Sequence, residues 1–358
     1  MYIFMQFLAT FQGVLMGKSL LNLVVSLLVL LPTLATAETA SDSKLRIVAT
    51  TSDIGCVTRS IAGEHADVSV ICAGDRDAHY LQARPSYIML ARNADLWIRV
   101  GMELEIGWEP MVLDGARNVS IREGGPRHLD VSQQVLKLEV PTQRVSRAMG
   151  DVHPSGNPHY WMDPFNMRIV AETIANKLIE IDPGNRDSYT ANLAAFQLEL
   201  DQRMFGNKLV ERFGGETLWA HELRATFESF LSENSALDDL QGWSGKMRPL
   251  AGRKIVTYHK NWSYFANRFG IEIPIELEPK PGIPPSPAHL TRVIDLMNSQ
   301  SINTILMATI YPRRAADRVA ASTDARVLIR AHSVGGTEAA DTYFALIDDL
   351  VQGLIKFL

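Results

Sequence analysis

Short apolar runs alternate with amphipathic stretches along most of the chain. Leu45-Arg46-Ile47-Val48-Ala49-Thr50-Thr51 is a β-rich run closed by Ser52-Asp53, residue types that favour a helix N-cap. The pattern predicts a helix to about residue 62, a stop at Gly63 and a second strand over 68–72. A polar loop over 73–83 leads to a helix opened by Pro85-Ser86, and Leu96-Trp97-Ile98-Arg99-Val100-Gly101 reads as a third strand. Residues 119–140 leave room for one more. Strands separated by helices at this spacing indicate βαβ units and a parallel sheet.

Over 164–181, Met167, Val170, Ile174, Leu178 and Ile181 recur with a helical period, which Asp182-Pro183-Gly184 breaks. A long polar-rich helix is expected over 185–208, with Tyr189, Leu193, Phe196 and Leu200 on one stripe, as a strut between two α/β halves. Residues 213–250 are polar and glycine-containing and read as an insertion holding a short helix over 223–231. A second alternating series follows: strand 254–259, helix 262–269, strand 271–277, a proline-rich loop 279–287, helix 288–298, strand 304–308, helix 313–322, strand 326–329 and a final helix from about 340. The expected class is therefore α/β, with two Rossmann-like (βα)4 lobes. The N-terminal lobe spans 44–182, the linker helix 183–212, the insertion 213–250 and the C-terminal lobe 251–358. Ligands in such folds gather at the carboxyl ends of the strands, in the cleft between lobes.

The first residues change the picture of where the chain works. Lys18, an apolar run over 20–34 and Ala35-Thr36-Ala37 are the parts of a secretory signal peptide, with Met16 as its start. We expect residues 1–37 to be removed after Ala37, leaving a periplasmic, monomeric protein. No cysteine lies at the cleavage site, so no lipid anchor is expected. With a formal net charge of −5 and no basic stripe, a nucleic-acid partner is not expected. Cys56 and Cys72 are the two cysteines; compartment favours a disulfide, residue type favours two buried thiols, and the spacing leaves both open.

The candidate chemistry lies in the histidines. Of nine, His79, His259 and His332 each follow a predicted strand, and His159 precedes a helix in Asn157-Pro158-His159-Tyr160-Trp161-Met162-Asp163-Pro164. A lone loop histidine usually just makes a hydrogen bond, but four at one end of two sheets can converge, and neutral imidazoles suit zinc. His65, His128, His221 and His289 keep ordinary structural roles, while His153 is an accessory candidate. Asp163 is better placed as a helix cap than as a ligand. No H-E-x-x-H, G-x-S-x-G, phosphate-binding or dinucleotide motif is present, so no enzyme is expected. The competing class is a zinc hydrolase with a three-histidine site and a bound water, which would need a general base that no motif supplies.

Several stretches resemble the zinc/manganese solute-binding proteins of ABC importers, the ZnuA- and TroA-like family. They are Ile47-Val48-Ala49-Thr50-Thr51, Asp77-Ala78-His79, Ala94-Asp95-Leu96, the Gly156–Pro164 stretch, Val256-Thr257-Tyr258-His259, residues 278–289 and Val334-Gly335-Gly336. Residues 213–250 fall outside the likeness. It implies two α/β lobes joined by one rigid helix, a metal held between them by His79, His159 and His259, and an inner-membrane ABC permease as partner. Manganese-binding and adhesin-type members belong to the same family. An Asp is usual where this chain has His332, which is then a fourth imidazole or is turned away, leaving water or a carboxylate to complete the site. A histidine-rich set favours Zn2+, with Mn2+ and other divalent transition metals behind it.

Overall fold

The computed structural model describes residues 44–143, 153–280 and 282–358. The expected signal peptide and its cleavage point lie outside them. In the N-terminal half, β1 (Leu45–Thr51), α1 (Ser52–Ala62), β2 (Ala66–Cys72), α2 (Pro85–Arg92), β3 (Leu96–Arg99), α3 (Glu109–Ala116) and β4 (His128–Asp130) build one sheet in the order β2-β1-β3-β4. All its pairings are parallel, with Ile47 opposite both Val68 and Leu96. The apolar run Ile47-Val48-Ala49 within β1 suits a strand covered on both faces. Alternate residues serve two cores: Ile47 and Ala49 pack with α1, whereas Val48 joins Trp97, Tyr87 and Trp108 on the side of α2 and α3.

Two long helices follow, α4 (Pro164–Ile181) and α5 (Arg186–Phe205). Near its start α5 touches the first sheet's helices, through Ser188 Oγ to His65 Nε2 at 3.0 Å and Asn192 Nδ2 donating to Ile61 O at 2.9 Å. Near its end Arg203 pairs with Asp348 of the last helix. The helix ends at Gly206, whose φ of +91° turns the chain into α6 (Asn207–Phe213). Residues 213–250 hold three helices where one short helix is expected: α7 (Gly215–Leu223), α8 (Phe227–Glu233) and α9 (Gly242–Met247). The helix expected over 223–231 is interrupted by a turn in which Ala225 has φ +55°. Leu218, Trp219, Phe227, Leu231, Trp243 and Met247 from this region are buried in the main core.

In the C-terminal half, β5 (Val256–Thr257), α10 (Ser263–Phe269), α11 (Pro287–Ser299), β6 (Thr304–Ala308), α12 (Arg314–Ala320), β7 (Arg326–Arg330) and α13 (Tyr343–Phe357) form a second parallel sheet, order β5-β6-β7. The strand expected over 271–277 is reduced to isolated parallel bridges, Lys254 with Glu272 and Thr257 with Glu276. Pro274 lies between them and has no N–H to give to a ladder. Cys56 and Cys72 are free thiols, and burial pushes Cys72 up to about 12. No helix among the described residues is long and apolar enough to cross a membrane.

Candidate metal site

His79 sits on a single helical turn, Ala78–Tyr80, just beyond β2. Asp77, two residues earlier, accepts from both the backbone N–H of His79 (3.0 Å) and its Nδ1 (2.7 Å). The chain repeats this device at the second histidine: Asn157 Oδ1 accepts from His159 N at 3.0 Å and Nδ1 at 2.8 Å. His259 leaves the end of β5 and places Nδ1 2.7 Å from Glu278 Oε2, on a segment fastened by Glu278 N–H donating to Tyr258 O at 2.9 Å. Carboxylate and amide oxygens only accept, so a neutral ring carries its hydrogen on Nδ1 and presents the Nε2 lone pair. Holding one ring nitrogen to aim the other is how proteins orient metal-binding imidazoles.

The three rings face one another. Their centroids are 5.3 Å apart for His79 and His159, 5.4 Å for His159 and His259, and 6.2 Å for His79 and His259. Two imidazoles on one zinc, at metal–nitrogen distances near 2.0–2.1 Å and a tetrahedral angle, place their centroids about 5.2 Å apart. Two spacings meet that figure and the third is wide by about an ångström. Correspondingly, among the described residues no three His, Cys, Asp or Glu side chains stand close enough to hold a metal as they are.

His332 is 5% exposed, its Nδ1 is buried without a hydrogen-bond partner, and its carbonyl accepts from Trp161 Nε1 at 2.7 Å. With His79, His159, Asp77 and Trp161 it lines a cavity with ≈ 10 Å³ of room for a water-sized guest. That is space for one water or one ion. Burial, reinforced by the imidazoles of His79, His259, His332 and His153, holds His159 well below the ordinary histidine range. Burial likewise pushes His332 down to about 4, against the opposing pull of Asp77. Burial would raise Asp77, but the hydrogen bonds it accepts from the ring and backbone N–H of His79 hold it down to about 2. His153 brings its Nε2 to 3.1 Å from His79 Nε2.

The other histidines are accounted for elsewhere. His65 bonds Ser188, His128 lies in β4 beside Glu109, His221 stacks on Phe230, and His289 bonds the carbonyl of Glu276. Asp163 caps α4, accepting from Phe165 N at 3.0 Å, and forms a bidentate pair with Arg268 at 2.8 Å. The orienting oxygens of Asp77, Asn157 and Glu278 were not singled out from sequence. The first two have a local signal, an Asx two residues before each histidine; Glu278 has none.

A model of the family described as ZnuA, zinc-uptake complex component A, periplasmic, matches residues 47–204 and 219–356. The unmatched segment, 205–218, covers only the start of the insertion expected over 213–250. A manganese ABC transporter substrate-binding lipoprotein, PsaA of Streptococcus anginosus, is 29% identical over 170 residues, 46% of this chain and 51% of the relative. An iron ABC transporter substrate-binding lipoprotein, MtsA of Streptococcus pyogenes serotype M1, matches with the same identity and coverage. The chain thus spans about half the length of these curated relatives. Both are named lipoproteins, which stands against the expectation of no lipid anchor. A crystal structure of ZnuA shares the fold, with a TM-score of 0.64 and 23% identity, covering 88% of this chain and 99% of that one. The chain belongs to the ZnuA family.

Proposed function

We propose that this protein captures a divalent transition metal outside the cytoplasm, holds it on His79, His159 and His259, and delivers it to the permease of an ABC importer. The carrying observation is that three imidazoles from two lobes face one another at 5.3–6.2 Å, each with Nδ1 held by an oxygen acceptor. His332 stands beside His79 and His159 in the wall of a cavity. The cargo that best fits the donor set is Zn2+, because imidazole nitrogen suits zinc whereas manganese favours oxygen. PsaA is named for manganese and MtsA for iron, so the assignment of zinc rests on the donor atoms of this chain.

The test is calorimetric titration of the chain with zinc alongside His159→Ala and His259→Ala, with metal content measured after isolation from the native compartment. Each variant should lose affinity by orders of magnitude yet keep its chelator-treated melting temperature. Zinc at about 100 times its Kd should stabilise the unsubstituted chain by about 2.7 kcal/mol, and a chelator should abolish that gain. Undiminished affinity in His159→Ala overturns the site. Isolation with bound manganese or iron in place of zinc overturns the cargo.

A further inference from the structure

We infer that His153 supplies a fourth imidazole to the metal, in preference to His332. This rests on the metal-capture reading above and deepens it. His153 stands at the head of a tight turn, where Gly156 N–H donates to its carbonyl at 3.1 Å. Ser155 in that turn is tied to Glu103 at 2.7 Å, and His159 follows six residues after His153. The ring is therefore presented by an anchored piece of backbone.

Its contact with His79 is the decisive geometry. Because Asp77 accepts the Nδ1 hydrogen of a neutral His79, the Nε2 of His79 is a lone pair, and it faces His153 Nε2 at 3.1 Å. The hydrogen between the two nitrogens then belongs to His153. Two nitrogens bound to one zinc at a tetrahedral angle lie about 3.3 Å apart. The ring centroids, 5.1 Å apart, also match the spacing of a ligand pair. A metal ion can take the place of that hydrogen with only a small movement of the rings. For this, His153 exchanges its hydrogen from Nε2 to Nδ1 through water, with no net proton change on that ring. His332, by contrast, has Trp161 as its ring neighbour, at 6.4 Å, and the same indole holds its carbonyl.

The experiment is zinc-edge X-ray absorption on the zinc-loaded chain, which counts coordinated imidazoles, combined with competition titration against a chelator. The unsubstituted chain should show four imidazoles and His332→Ala should still show four. His153→Ala should show three with an oxygen donor, and its affinity should fall more than about a hundredfold, beyond the loss typical of outer-sphere substitutions. His153→Gln, which keeps a polar group in the turn, should lose the imidazole equally. The inference is overturned if His153→Ala keeps the full imidazole count, whether or not affinity falls, or if His332→Ala loses one. Failure of the unsubstituted chain to bind zinc instead strikes the metal-capture reading itself.

Discussion

Asn157 offers the sharpest test of how the site is held, because one side chain performs two separable tasks. Its Oδ1 receives the N–H and Nδ1 of His159, and its Nδ2 donates to Lys260 O of the other lobe at 2.8 Å. Asn157→Ala removes both. Freeing the ring to rotate and change tautomer should weaken zinc binding by about 10–100-fold, the range for lost outer-sphere partners. That is about 1.4–2.7 kcal/mol of binding free energy. Losing the bond to the Lys260 carbonyl should cost the metal-free fold a further ~0.5–1.5 kcal/mol, since that carbonyl keeps the Ser263 hydroxyl as a donor at 3.1 Å. Asn157→Asp separates the two effects. It keeps an oxygen facing His159 and so should keep most of the affinity. It loses the donor to Lys260 and sets a charge near Glu139, whose Oε2 lies 3.5 Å from Nδ2, so its fold should weaken. Competition titration and urea melts with a chelator read the two quantities independently. Wild-type affinity in Asn157→Ala, or an Asp variant as weak as the Ala variant, refutes the orienting role of Oδ1.

Two further expectations concern stability. Asp163→Ala should destabilise the protein by about 3–5 kcal/mol, because it leaves the buried Arg268 guanidinium without its bidentate partner; urea melts should show part of this regained when Arg268→Met is added. Stability without metal should also depend on acid. The buried His332, at about 4, and His159, well below 6.5, stay neutral where unfolded imidazoles take up protons, so each adds a rise in stability as pH increases to about 6.5. Asp53, pushed up to about 7 by burial, works in the opposite sense, because its unfolded carboxyl ionises near 3.8 while the folded one stays neutral. Asp53→Asn should therefore steepen the rise across that window in chelator-treated urea melts, and an unchanged slope refutes the opposition.

What the sequence reveals of this architecture follows the range of the interactions involved. β1 is legible because a strand covered on both faces favours consecutive apolar residues, and Ile47, Val48 and Ala49 each meet a core. The segment around Pro274 looks like a strand by its alternating isoleucines, but a missing N–H outweighs periodicity and leaves two bridges. Residues 213–250 show only one short helix in the sequence because the buried Trp219, Phe227 and Trp243 are scattered among polar neighbours on three short helices, too short for a periodic signal. The site divides in the same way. His79 and His159 carry their orienting oxygen two residues upstream, so the Asx-x-His pattern is written locally. Glu278 reaches His259 from nineteen residues away, positioned by hydrogen bonds between its own segment and β5. The two locally oriented rings come from the first lobe and sit at ligand spacing, while the wide 6.2 Å gap lies between His79 and His259. His259 already stands at ligand spacing from His159, so closing that gap requires only His79 and His259 to approach each other, a contact between lobes that local sequence does not encode and that the proposed metal would complete.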